Sequence, residues 1–416
     1  MVAQTITPQR AARGRAARTA AVSASLVLGA GLALAPGATA HAASGRWNGG
    51  CPGPETLVSG TTWHTHKLAP GITLSEGNHE DGRGLVKMHV LRVTVGQPGM
   101  SFHPLRRAIA QRTPLSRLAA GRDNIVAAVN TGYFDFATGA PTQPLIVNGA
   151  PLVISRRHQR VLGFDAKGRL QTGKVHLVAK LFAGKKSHTV AGINNVAGRS
   201  GLQAYNPAWG GRPVPGSWQA VARAVVANKI GATLGRNAHV PSDGYELMAH
   251  GGTASHWLSG VSAGSKAGIA GLVASTTKRP FAQAYGVGAE VVKHKGRTRT
   301  DLSCNSANTV QPARTAFGVA DGGKTLVIGE VEDHPGTSVH GLDENQMSGF
   351  MAQLGVDRAF DVDGSGSTEM LAQLPGTNTL SRRTYPADGQ ERAMPLGLGI
   401  FYKAPKVTEP KHHKKH

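Results

Sequence analysis

The sequence predicts an α+β fold: a single strand-rich domain with a mixed sheet and a few helices. Three observations predict it. Short runs of alternating apolar and polar residues recur along the chain, the two-residue period of strands with one buried face. Glycine is abundant, at 55 of 416 residues, so turns between short elements are many. Helical spacing of apolar residues is confined to a few segments. No internal repeat is visible at the period of roughly 20–50 residues that marks solenoids and propellers.

The elements follow in order. Residues 1–43 read as a secretory leader. Arg10, Arg13, Arg15 and Arg18 form a basic start without acids, 20–35 is an apolar run, and Ala38-Thr39-Ala40 and Ala40-His41-Ala42 are small-x-small cleavage sites. No later segment is long and apolar enough for a helical span, so a secreted protein with no membrane span is expected once the leader is removed. Residues 44–84 read as a lead-in with one or two strands. The main domain is placed at 85–403. It opens on a half-buried strand at 85–95, where Val86, Met88, Val90, Leu91, Val93 and Val95 interleave with basic residues. Thr113-Pro114 starts a helix running to about Ala120. The run 125–129 predicts a buried strand that ends in a loop at Asn130.

Val147-Asn148-Gly149-Ala150 is a hairpin signal, and Lys167-Gly168 marks a second hairpin within 163–178. Residues 220–233 are strand-rich. Met347, Phe350, Met351 and Leu354 keep helical spacing, with Asp343 at the start and Gly355 past the end. A strand at 359–362 feeds a loop at Asp363, and 396–402 is a final strand. Residues 404–416 form a basic tail expected to be disordered.

The formal net charge is +22, and +18 once the four leader arginines are removed. That excess favours anionic surroundings. No nucleic-acid motif of fixed spacing appears, so no specific nucleic-acid partner is expected. Only Cys51 and Cys304 occur, and in a secreted chain an even count predicts one disulfide. There is no H-E-x-x-H, no Gly-rich nucleotide loop and no G-x-S-x-G elbow; His64 and His66 share a strand face without an evident third ligand. No metal or cofactor is expected.

The chemistry concentrates in three segments. Phe360-Asp361-Val362-Asp363-Gly364-Ser365-Gly366-Ser367-Thr368-Glu369 delivers carboxylates onto a small-residue loop. Glycine there lets a ligand approach the main chain, and the hydroxyls can receive an anion or a sugar oxygen. Val129-Asn130-Thr131-Gly132-Tyr133-Phe134 and Ala313-Arg314-Thr315-Ala316-Phe317-Gly318 precede it. To these are added Gly244-Tyr245-Glu246-Leu247-Met248-Ala249-His250-Gly251, Gly286-Val287-Gly288-Ala289-Glu290-Val291-Val292 and Glu391-Arg392-Ala393-Met394-Pro395-Leu396-Gly397.

In this order and spacing the segments resemble those of the phosphodiester glycosidase family, over roughly residues 85–402. The chain departs from the family pattern at Thr131 and Ser365, where Gly is usual, at Asp361 and Leu396, where Asn is usual, and at 286–292, which lacks one Gly and a Pro. The resemblance implies a glycosidase that hydrolyses the sugar C1–O bond of sugar-1-phosphate diesters, with an anionic phosphate-linked carbohydrate as partner. The expected catalytic residues are Asp363, to activate water or attack the anomeric carbon, Arg314, to clamp the phosphate, and Asn130, to bond a sugar or phosphate oxygen. The expected substrate-binding residues are Gly132, Tyr133, Phe134, His250, Gly251, Thr315, Gly364, Ser365, Gly366, Ser367, Thr368 and Arg392. Asp361 is expected as a supporting group on the side of Asp363, close enough for one carboxylate to raise the pKa of the other. Glu369 is a weaker alternative to Asp363. Glu330, Glu332 and Asp333 read as an exposed acidic turn after a strand. Two other readings stay open: a non-catalytic binder of anionic wall polymer on the same scaffold, and a metal-dependent phosphodiesterase cutting P–O.

Overall fold

The structure is a computed structural model, and it describes residues 2–5, 57–197, 200–215, 220–235, 238–299 and 311–405. Cys51, Cys304 and the basic tail beyond 405 lie outside the described residues. Among those described, the chain forms three sheets of 12, 8 and 5 strands with only short helices. The sheets are antiparallel except where Lys186–Ile193 runs parallel to Gly201–Tyr205, which makes the largest one mixed. An extra pairing of Leu170–Ala183 with Lys186–Ile193 closes six strands of that sheet into a ring. Val2–Thr5, inside the segment read as a leader, pairs with the outer side of Ala267–Ser275. Among the described residues, no helix is long and apolar enough to cross a membrane.

Local chemistry accounts for many boundaries. Asn148 (φ 50) and Gly149 (φ 77) both take the left-handed backbone that a two-residue hairpin turn demands, between Leu145–Val147 and Ala150–Ser155. The helix Glu344–Gln353 starts with a capping box. Asp343 accepts from the Gln346 amide, and the Gln346 side chain accepts from the Asp343 amide.

The eight-stranded sheet runs Arg297–Thr298, Glu290–Lys293, Arg358–Asp361, Arg314–Ala320, Thr325–Val331, Gly84–Thr94, Ile72–Asp81, Thr62–Ala69. The two strands of the expected lead-in are therefore full members of it. Gly84–Thr94 is buried on both faces, where only one was expected. Val86, Met88 and Val90 pack with Met347, Phe350 and Met351 of the helix Glu344–Gln353. Leu91 and Val93 face the central core. That core lies where the three sheets meet: Phe317 and Ile328 come from the eight-stranded sheet, Val129 and Leu398 from the five-stranded one, and Tyr205 and Met248 from the largest. The Phe102 and Phe164 rings stack at 3.9 Å between the last two sheets. Burial of this many aliphatic and aromatic groups, at about 1.5–3 kcal/mol each, sets the frame that holds the loops.

Candidate active site

The site forms where the strand Arg358–Asp361 leaves its sheet. Asp361 pairs with Ala316 on one side, and its amide bonds the Ala289 carbonyl at 3.0 Å on the other. Beyond it the chain is stitched between two walls. The Val362 and Ser365 amides bond the carbonyls of Thr315 (3.1 Å) and Ala313 (2.6 Å), and the Asp363 amide bonds that of Thr131 (3.2 Å). The 361–368 loop is thus fixed by backbone bonds to both neighbouring motifs, which is why three segments distant in sequence converge.

They line a cavity of about 230 Å³ whose wall includes Tyr133, Arg314, Thr315, Glu344, Met347, Asp361, Asp363, Gly364, Ser365 and Arg392. That volume lies below the ~300–1,000 Å³ of drug-sized ligand sites and suits a single sugar or phosphate unit. Asp361 is almost fully buried. Its Oδ2 accepts a 2.6 Å hydrogen bond from the Tyr133 hydroxyl. Burial, reinforced by the charge of Glu344, pushes its carboxyl up to about 6 despite the Tyr133 bond and Arg314. The mutual influence expected between Asp361 and Asp363 is not what shifts it. Burial also raises Asp363, against the Ser367 hydroxyl and the charge of Arg392. The Asp363 Oδ1 accepts from the Gly364 amide at 3.1 Å.

The Arg314 Nε donates to the Leu342 carbonyl, which fixes the plane of the guanidinium. Among the described residues no carboxylate closes an ion pair with it. Its burial lowers its pKa, opposed by Glu344, Asp361, Tyr133 and Asp343. A guanidinium that is buried, oriented and unneutralised by a direct partner is suited to bind an oxyanion. Arg392 sits opposite, donating to Asp388 and, at 3.2 Å, to the Ser367 hydroxyl.

Several expected residues take other places. Asn130 is only 1% exposed and does not line this cavity. Its Nδ2 donates to the Asp363 carbonyl (2.6 Å), and its Oδ1 accepts from the Thr315 hydroxyl (2.9 Å) and the Glu369 amide (3.3 Å). It braces the Asp363 loop, a positioning role in place of the expected catalytic one. Phe134 is packed against Phe136 and under Arg112, away from the cavity wall. Gly132 lies under Gln143 and the Gly286 carbonyl, where a Cβ would meet atoms at 2.4 and 2.7 Å. Gly366, Ser367 and Thr368 are buried within the loop; of the expected small-residue loop only Gly364 and Ser365 reach the cavity. His250 and Gly251 end the strand Gly244–His250 in the largest sheet and do not line the cavity.

The acidic turn is corrected as well. Glu330, in the strand Thr325–Val331, and Glu332, just past its end, are buried, and Asp333 is half-buried. His89 bridges Glu76 (3.1 Å) and Glu332 (2.8 Å), and Arg383 clamps Glu76. The sheet is covered on that side by the 369–385 segment, where the Tyr385 amide bonds Glu332 at 3.0 Å. Local sequence carries no sign of that cover. Glu369 is buried and held by Arg382 at 3.1 Å, so it belongs to this interior and not to the cavity.

Sequence reasoning missed Glu344 and Met347, brought in by the helix N-terminus, and the tight seat of Asp361. A Cβ at Gly288 would lie 2.4 Å from the Asp361 Oδ1 and 2.9 Å from the Tyr133 ring. The glycine preserved inside the degraded 286–292 stretch was the available signal. Among the described residues no three His, Cys, Asp or Glu side chains gather as a metal site would need.

The fold and cavity define a strand-rich α+β protein with carboxylates and guanidinium groups facing one small polar pocket. Comparison with known proteins gives this class a family. Residues 218–401 match the sequence model of the phosphodiester glycosidase family. The match takes in Arg314, Asp361, Asp363 and Arg392 and stops short of Asn130 and Tyr133. A hypothetical protein from Synechocystis superposes with a TM-score of 0.68 at 19% identity, covering 82% of this chain and 64% of that one. The chain thus spans under two thirds of that relative. A putative exported protein from Burkholderia pseudomallei K96243 gives 0.61 at 18% identity over 76% and 74% of the two chains. These two show a shared fold. The catalytic domain of zebrafish N-acetylglucosamine-1-phosphodiester alpha-N-acetylglucosaminidase, auto-inhibited by its pro-peptide, gives 0.44 at 15% identity over 82% and 88%. No curated protein matches the sequence.

Proposed function

We propose that this chain is a secreted glycosidase that hydrolyses the sugar C1–O bond of sugar-1-phosphate diesters, with phosphate-linked surface polymers as its natural substrates. The observation that carries the reading is the convergence of Asp363, Asp361, Arg314 and Arg392 on one cavity within the family-matched region. The leader-like start and the basic surface charge support export and an anionic polymer.

The geometry supports the following division of roles. Arg314 and Arg392 hold the phosphate, where negative charge grows as the C1–O bond breaks. Asp363, on the loop and open to the cavity, takes a proton from the water that attacks C1. The departing oxygen leaves with the phosphate as a phosphomonoester, and the sugar gains the water oxygen. Asn130, Thr131 and Thr315 keep the Asp363 backbone in place.

Hydrolysis of UDP-N-acetylglucosamine by the wild type and by Asp363→Asn tests this. Free sugar from the wild type, at least about a hundredfold less from the variant, and label from ¹⁸O-water in the sugar are expected. Label in the phosphate would show P–O cleavage. Equal turnover by both proteins would place the chemistry elsewhere.

A further inference from the structure

We propose that Asp361 governs the pH range over which the cavity accepts an anionic ligand: neutral, it admits the phosphate group, and ionised, it repels it. The inference rests on the phosphodiester reading of the same cavity.

Asp361 is placed for this by its surroundings. Its Oδ2 is held by Tyr133, while its Oδ1 is buried without a hydrogen-bond partner and faces bare backbone at Gly288. No side chain there can solvate a second negative charge. The charged groups around it come from every adjoining element. Arg314 projects from the neighbouring strand, Glu344 and its capping neighbour Asp343 from the helix start, and Asp363 from two residues on. Glu290, on the other neighbouring strand, is spent on Arg358 at 2.6 Å. The cavity wall carries three carboxyl groups, Asp361, Asp363 and Glu344, against Arg314 and an Arg392 that is already paired with Asp388 at 2.7 Å. Neutral Asp361 removes one negative charge from a wall that has no surplus of positive charge. An entering phosphodiester monoanion therefore favours the protonated form, and by linkage its binding takes up a proton wherever free Asp361 is ionised. Burial sets that threshold at about 6.

The test is calorimetric binding of UDP-N-acetylglucosamine to the full chain across roughly pH 5 to 8.5, a range in which the charge on its diphosphate is constant. In the wild type, Kd is expected to rise with pH above the threshold, approaching about tenfold per pH unit. Asp361→Asn is expected to bind with a Kd independent of pH. Tyr133→Phe removes the bond that favours the carboxylate, so its break point should move to higher pH. Identical pH slopes in the wild type and both variants would overturn the inference. So would loss of binding at every pH in an Asp361→Asn protein that melts as the wild type does. Should that variant fail to fold, the direction of the Tyr133→Phe shift decides. Binding with the expected slope but no turnover would defeat the glycosidase reading and leave this inference standing; turnover with pH-independent binding would do the reverse.

Discussion

Replacing Glu330 with Gln should make the protein markedly more stable in alkali and leave it nearly unchanged in mild acid. Glu330 sits in the strand Thr325–Val331, fully buried, between His89 and Thr315 on the strands to either side. No hydrogen bond of ordinary geometry reaches either carboxyl oxygen, although Thr384 is near enough to ease the charge slightly. Burial pushes the acid from 4.5 up to about 8, with Glu369 and Glu332 adding to the shift and His89 opposing it. A carboxyl whose pKa is raised by folding loses stability as pH climbs from its unfolded to its folded value, because the unfolded chain releases the proton first. At 1.36 kcal/mol for each tenfold change, the loss between about pH 4.5 and pH 8 is on the order of 4–5 kcal/mol. Gln keeps the shape and cannot ionise. The value of about 8 already includes the attraction to His89, so the expected gain at high pH is on the order of 4–5 kcal/mol. Guanidinium denaturation at about pH 5 and about pH 8.5 reads this directly. The variant should match the wild type within about 1 kcal/mol at the lower pH and exceed it by the full amount at the higher. A difference that is the same at both pH values would refute the reasoning, since it would mean that Glu330 does not change protonation on folding.

Two further outcomes are expected. Ser365 holds a left-handed backbone (φ 54), where an L side chain is strained and glycine is not. Ser365→Gly should raise stability by roughly 0.5–1 kcal/mol, read as a higher denaturation midpoint; a lower midpoint would show that the Ser365 side chain contributes more than the strain takes away. Gly288→Ala would set a methyl against the Asp361 carboxylate and the Tyr133 ring, displacing both from the cavity wall. It should lower kcat/KM for the phosphodiester by about a hundredfold, and full activity in that variant would remove Asp361 from the site.

The strands, hairpins and the capped helix were legible because their causes are local. Alternation, an Asn-Gly turn or an Asp at a helix start acts within a few residues, and each lies where its pattern put it. The convergence of the Asp363, Arg314 and Asn130 segments was legible for another reason, namely that all carry small residues at strand ends, where loops can meet. What stayed hidden depends on which surface covers which. Asn130 has the same chemistry whether it faces a ligand or, as here, spends its side chain on Asp363, Thr315 and Glu369. The 330–333 acids look like a solvated turn until a segment some fifty residues later in the chain is laid over them. His89 is the consequence of that cover. Burial pulls its pKa down, but hydrogen bonds to Glu332 and Glu76 outweigh it and raise the ring to about 9. Its stabilising charge is complete below pH 6.5 and is lost as pH rises through 9. Glu76, which burial alone would raise, is instead held near 2 by His89 and Arg383, so its contribution is complete above about pH 4.5 and is lost as pH falls through about 2. A charged trio of this kind beneath the 369–385 cover ties the segment that follows the Asp363 loop to the strands Ile72–Asp81 and Gly84–Thr94 of the eight-stranded sheet. The loop is therefore anchored at both ends, by Asn130 and Thr315 where it begins and by this ionic interior where it ends, and a cavity built from short loop residues can keep its shape.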